Sequence, residues 1–223
     1  MTEHGLGRRE AIDPRDRAHR MRWLLGPLPE RRTKYWPLFF PPLDQGATSS
    51  CVGHGWKSWM LAAPTIQTRP TAEPTAMSIY LEATRLDEWE GNEGDLNSGT
   101  SVRAGAKALE ARGLLAEYTW AWDVDTVADW LSVRGPVVLG TVWPRSFFTP
   151  EPSGLVRWPA DSAIAGGHCY LALGWDQRRG RVRCVNSWGR WNGNGRFWVD
   201  GETLERLFAA DGEAATAVEV RRL

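Results

Sequence analysis

At Gly135 the chain changes character, and that change limits the folds open to it. Upstream, four stretches carry helical signals. Residues Ser50 to Ala63 permit a helix that Pro64 stops, and a second opens at Glu73-Pro74 and runs towards Glu88. Thr100 or Ser101 can cap a third whose Val102, Ala106 and Leu109 share a face, with Gly113 placed to end it, and a fourth covers about Asp125 to Val133. Downstream, Val137-Val138-Leu139-Gly140-Thr141-Val142-Trp143 is rich in branched and aromatic residues, as strands are. His168 to Trp175 and Arg181 to Ser187 flank a polar turn and predict an antiparallel hairpin. Arg196 to Val199 and Ala217 to Arg221 add strands around a short helix at Glu202 to Phe208. The expected class is therefore α+β, with helices first and sheet after.

A chain of 223 residues at 42% hydrophobic can bury one large core or two small lobes sharing a cleft. Basic and acidic residues balance to a net charge of zero, which favours neither nucleic acid nor an anionic membrane as partner. No apolar run approaches the roughly 20 residues that span a bilayer, and Met1 to Gly26 lacks the apolar stretch of a signal peptide. The expectation is no signal peptide and a cytoplasmic location, or association with a phage particle. Three cysteines make neither a disulfide framework nor a zinc spacing, so no metal and no cofactor are expected.

Three short segments carry the chemistry. In Gln45-Gly46-Ala47-Thr48-Ser49-Ser50-Cys51 the thiol falls at a helix start, where unpaired N–H groups and the helix dipole favour the thiolate. Gln45 could donate its side-chain amide to an oxyanion, with the Cys51 N–H as second donor. His168 follows Gly166-Gly167 on a strand, and an imidazole beside a thiol can hold the ion pair and protonate a leaving amine. Asn186, across the hairpin about a turn near Gln177, should come nearly opposite His168 and fix its tautomer, with Trp188 covering the bond. Taken singly, each residue also fits a plainer role: a buried inert thiol, a surface glutamine, a satisfied core histidine. His54 reads as packing or surface, and Cys169 and Cys184, on opposite faces of paired strands, as buried free thiols.

In order and spacing these segments resemble the papain family of cysteine peptidases over about Leu43 to Val199, with Val52 after the cysteine as in its bacterial or phage-type branch. The resemblance implies a papain-like two-lobe fold. Its helical left lobe would carry Cys51, its sheet-rich right lobe His168 and Asn186, and the substrate would lie in the cleft between them. It implies catalytic roles for Cys51, His168, Asn186 and Gln45, and substrate contacts from Ser98, Gly99, Gly167 and Trp188. Val138, Ile164 and Ala165 would be apolar pocket walls. Thr48 stands where secreted members carry a disulfide cysteine, in keeping with a reducing compartment.

The expected organisation is an irregular N-terminal arm over residues 1–42, anchored by Tyr35, Trp36, Phe39 and Phe40, then a peptidase domain over 43–223. The helical lobe would cover about 43–134 and the sheet lobe about 135–223. With no long inhibitory propeptide in view, any latency must come from the short arm or from a partner. The expected partner is a peptide or protein substrate, and the oligomeric state is open. The expected activity is hydrolysis through an acyl-enzyme, as an endopeptidase or related thiol acyl hydrolase. The competing expectation is an acyl-transferring or non-catalytic protein of the same fold, acting in binding or particle assembly.

Overall fold

The computed structural model describes residues 4–11, 13–27, 30–66 and 68–220. The arm folds into a 3-10 turn at Pro14–Ala18, a short helix α1 (Met21–Leu24) and a two-residue strand β1 (Lys34–Tyr35). Three helices follow: α2 (Cys51–Leu61), α3 (Ala76–Leu86) and α4 (Val102–Ala111). Thr75 caps α3 through the Ser78 N–H, and Ser101 caps α4 through the Ala104 N–H. Next come β2 (Leu115–Ala121), α5 (Val124–Val133), β3 (Val137–Pro144), β4 (Leu155–Val156), β5 (Ile164–Asp176) and β6 (Arg181–Val185). The chain continues through β7 (Arg196–Asp200), α6 (Gly201–Ala209) and β8 (Glu213–Val220).

The strands form one sheet in the order β2-β8-β3-β5-β6-β7-β4, with β1 pairing the end of β5. All pairs are antiparallel except β4 with β7. Alternation along β5 divides the core. Cys169, Leu171 and Leu173 join Val52, Trp56 and Met60 of α2 on one side, whereas Tyr170 and Ala172 pack with Leu131 of α5 and Leu204 of α6 on the other. Cys169 and Cys184 therefore lie in different clusters, and both are free thiols.

The mixed α+β expectation agrees with this architecture, but several particulars differ. The sequence predicts no element over residues 115–121, yet they form a strand that pairs with β8. Its sequence, Leu-Ala-Glu-Tyr-Thr-Trp-Ala, shows only weak alternation. With β2 in the sheet and α5 packed on the core beneath β5, the helix and sheet regions do not separate at residue 134. Glu73-Pro74 precedes α3 instead of occupying its first turn. The arm is less irregular than expected, because Met21 and Leu25 are buried in the main core. Phe39 anchors nothing, being 66% exposed. Trp36 does anchor, donating its indole N–H to the Leu131 carbonyl at 2.8 Å. Arg221, the expected end of the last strand, lies outside the described residues.

Candidate active site

Helix α2 delivers Cys51 in its first turn, and the long strand β5 delivers His168 directly after its glycine pair. His168 Nε2 and Asn186 Oδ1 stand 2.8 Å apart. The pairing is diagonal. Leu171 faces Val185 and Ala172 faces Cys184, and a register shift lies between Ala172 and Gly174, so Asn186 continues the hairpin opposite Tyr170 and reaches two residues along the same face. Asn186 Oδ1 also accepts from the Ser187 N–H at 2.8 Å, which fixes the amide with its oxygen towards the ring. The imidazole sits between indoles, 4.7 Å from the Trp143 ring and 4.7 Å from the Trp188 ring. Its Nδ1 is buried with no hydrogen-bond partner among the described residues.

Gln45 is buried and clamped on both ends. Its Oε1 accepts from Ser187 Oγ at 2.6 Å, while Nε2 donates to the Thr48 carbonyl at 2.7 Å and to the Gly5 carbonyl at 3.1 Å. That last contact was not foreseen. The first residues of the arm run through the cleft as an extended segment, paired on both edges. The Gly7 and Arg8 N–H groups donate to the Gly167 carbonyl, each at 3.0 Å, and the Thr100 N–H donates to the Gly7 carbonyl at 2.9 Å. The Arg9 N–H returns to the Thr100 carbonyl at 2.9 Å, and the Trp188 indole N–H donates to the Gly5 carbonyl at 3.2 Å. The His4 ring stacks on Trp188 at 4.7 Å. Arg9 lies over the Trp89 ring, its guanidinium carbon 3.8 Å from the ring centre.

Of the expected substrate contacts, Gly99, Gly167 and Trp188 all border this segment. Gly99 has φ +73°, and a Cβ there would come within 2.1 Å of the Gly7 carbonyl oxygen, so glycine is required on both counts. The Ser98 hydroxyl turns to the Asp95 carbonyl at 3.4 Å, and Thr100 supplies the pairing edge instead. Of the expected pocket walls, Ala165 lines the groove beside His4, Gly5 and Leu6, whereas Val138 is fully buried in the core and Ile164 is 50% exposed. His54 is a packing residue, its Nδ1 2.9 Å from the Ser50 carbonyl one turn back.

The covered cleft reverses the expected electrostatics. Cys51 and His168 are both fully buried. Burial pushes the Cys51 thiol up to about 12 despite the N–H groups of Cys169, Gly7 and Val52 that would stabilise a thiolate. Burial likewise pulls His168 down to about 4, against the support of its bond to Asn186. Across neutral pH the pair is thus a thiol and a neutral imidazole in this closed form. The sequence reading missed Arg8 and Glu213, whose buried ion pair closes one side of the cleft at 3.0 Å. A lone acid opening the otherwise small, apolar run Ala214-Ala215-Thr216-Ala217 was the signal available.

This fold, with Cys51 at a helix start, His168 on a strand and Asn186 just past the next, is that of the papain-like cysteine peptidases. No family model matches the chain. Among solved structures it superposes on xylellain, a cysteine protease from Xylella fastidiosa, with a TM-score of 0.75 at 20% identity, covering 99% of this chain and 98% of that one. It also matches a digestive procathepsin L proteinase from Tenebrio molitor larval midgut, with a TM-score of 0.57 at 16% identity over 97% of this chain and 74% of that one. In sequence it is similar to a curated peptidase C1-like protein of Acanthamoeba polyphaga mimivirus, 24% identical over 72% of this chain. The match spans 64% of that relative's length. Among the described residues, no helix is long and apolar enough to cross a membrane.

Proposed function

We propose that this chain is a cysteine peptidase held closed by its own N-terminal arm. The observation that carries this reading is the Gly5 carbonyl on Gln45 Nε2 at 3.1 Å, because a peptide carbonyl already occupies the donor that an oxyanion would need. With the arm displaced, water reaches Cys51 and His168, and the burial that holds both neutral is relieved. Asn186 holds Nε2, which leaves Nδ1 to exchange a proton with the thiol. The thiolate then adds to the substrate carbonyl and Gln45 with the Cys51 N–H steadies the oxyanion. The His168 imidazolium protonates the leaving amine, and water attacks the resulting thioester to release the acid.

The arm itself is a poor substrate in this pose. The Gly7 N–H, which stabilises a thiolate at Cys51, sets an amide nitrogen beside the sulfur where cleavage needs a carbonyl carbon. Complete burial of Cys51 equally suits a second reading, a non-catalytic or acyl-transferring protein of this fold that acts in binding or particle assembly. Hydrolysis of a diverse peptide library by the chain and by Cys51→Ala separates these. Turnover that vanishes in Cys51→Ala with unchanged circular dichroism supports the peptidase, and added amines reveal any transfer. Turnover that persists in that variant removes the mechanism.

A further inference from the structure

Strands β6 and β7 turn their two faces to different surroundings. Val182, Cys184, Phe197 and Val199 point into the core, whereas Arg181, Arg183, Arg196 and Trp198 share the opposite face. Three neighbouring cations already have a carboxylate. Arg179 and Arg181 share Asp176 at 3.3 and 3.4 Å, and Arg157 takes Asp200 at 2.8 Å. Arg183 and Arg196 have none. Among the described residues neither side chain makes a hydrogen bond or an ion pair, and Arg196 Nε is enclosed without an acceptor.

The strand register brings these two together. Arg196 lies opposite Val185 and Trp198 opposite Arg183, which makes Arg183 and Arg196 diagonal neighbours on one face, a separation that long side chains span. Rings hold Arg183 in place. Tyr35, Gly174, Arg183 and Trp198 fall in one row across β1, β5, β6 and β7. The Arg183 guanidinium carbon stands 5.6 Å from the Tyr35 ring centre and 5.9 Å from that of Trp198. Gly174 makes this row possible, because a Cβ there would lie 2.9 Å from Tyr35 Cδ1. Burial first, and the like charge of Arg183 second, hold the Arg196 guanidinium below its ordinary range.

Two guanidinium groups of like charge, one with an enclosed and unused donor, are unfavourable neighbours unless an anion joins them. Two fixed positive charges call for two negative ones, and a phosphate monoester brings about 1.5 to 2 with three acceptor oxygens. A carboxylate brings one. Planar guanidinium forks also match phosphate oxygens two at a time, and Arg196 Nε offers a donor that is already desolvated.

We infer that the Arg183–Arg196 pair, walled by Tyr35 and Trp198, binds a phosphoryl group, carried by free phosphate or by a phosphorylated side chain of a peptide. The inference uses neither Cys51 nor His168 and stands apart from the peptidase reading.

The test uses the full chain with inorganic phosphate, and with sodium chloride or acetate at matched ionic strength, followed by calorimetry and thermal unfolding. At about ten times its Kd, phosphate is expected to raise Tm by about 3–6 °C above chloride, with acetate giving less than about half of that. Arg196→Gln and Arg183→Gln should each weaken phosphate binding by about 10- to 150-fold, and Arg178→Gln, in the turn beyond the pair, by less than about twofold. Either variant of the pair decides the matter, provided its circular dichroism matches the parent. A short peptide bearing one phosphoserine, with its serine twin as control, separates the sources. Tighter binding than inorganic phosphate assigns a phosphorylated side chain, and equal or weaker binding assigns the free anion. Phosphate that stabilises the parent no more than chloride does, acetate that equals phosphate, or an affinity unchanged in the pair's variants would overturn the assignment.

Discussion

Gln45 donates its side-chain Nε2 to the carbonyl oxygen of Gly5 at 3.1 Å, so the same amide serves as latch in the closed form and as oxyanion donor in the proposed open one. The two uses pull a substitution in opposite directions. Gln45→Ala should lower peptide turnover by about 10²–10³-fold while speeding alkylation of Cys51 by iodoacetamide, since the arm loses one of its anchors. Turnover and alkylation that fall together would show that Gln45 merely supports the fold.

The arm can be loosened from its own side. A Cβ at Gly7 would meet the Ser49 carbonyl oxygen at 1.9 Å, a clash with backbone that no rotamer relieves. Overpacking of this kind costs about 1–3 kcal/mol, so Gly7→Ala should raise the open population, and with it initial rates, by about 5- to 150-fold. Unchanged rates, with unchanged hydrogen exchange at the Thr100 N–H, would mean that the segment does not obstruct the cleft.

Thiol chemistry should report the closed state through its pH dependence. With Cys51 pushed up to about 12 by burial, its alkylation in the parent chain should climb about tenfold per pH unit through the alkaline range, with no plateau near neutrality. The Gly7→Ala chain should add a component that levels off at lower pH, because exposed Cys51 and His168 can then form the ion pair. Peptide mapping by mass spectrometry assigns the label, since burial also raises Cys169 and Cys184 well above the ordinary thiol range. A neutral plateau in the parent chain would contradict the closed cleft.

Acid stability carries two opposing contributions. His168 stays neutral in the folded chain down to about 4, whereas an unfolded histidine takes its proton near about 6.5. The unfolded state therefore binds more protons between those limits, and this contribution is lost as pH falls through them. Glu213 acts the other way: at about 6 the folded chain protonates before the unfolded one does, which favours folding as pH falls towards about 4.5. Urea midpoints from about pH 7 to about 4 should fall less in His168→Gln and more in Glu213→Gln than in the parent. Parallel curves for all three would refute the assignment.

Asn186→Ala would leave the buried Nε2 of His168 without its acceptor at 2.8 Å. The expected loss is about 1–3 kcal/mol, read as a fall in Tm of about 2–10 °C, together with reduced turnover. A Tm equal to that of the parent would argue that water replaces the amide.

Much of this site was legible because its chemistry sits in short runs: Gln45 to Cys51, Gly166 to His168 and Asn186 to Gly189 each declare a role through neighbouring residue types. The hairpin was legible as well, although it turns about Arg178-Arg179 instead of near Gln177, so Asn186 falls opposite Tyr170 and meets His168 diagonally. Pairing across long separations was not. Arg8 meets Glu213 from the far end of the chain, 205 positions away, and no local pattern links them. Strand β2 escaped for the same reason, since its partner β8 lies nearly a hundred residues on and its own alternation is faint. The expected depression of the Cys51 thiol followed from its place at a helix start. What reversed it was a cover contributed by residues 5–8, which a helix-level argument does not contain.

The arm is fastened behind the cleft as well as within it, because Arg103 grips Asp16 and the Ala11 carbonyl, and the Trp120 N–H holds the His19 carbonyl at 2.8 Å. Only the stretch ahead of those fastenings has to move, and it stays tethered when it does. In the proposed peptidase a substrate therefore competes with a rival whose local concentration, of millimolar order for a short tether, does not fall when the protein is diluted. Latency becomes a property of each single molecule, unaffected by how many others surround it, until that tether is cut.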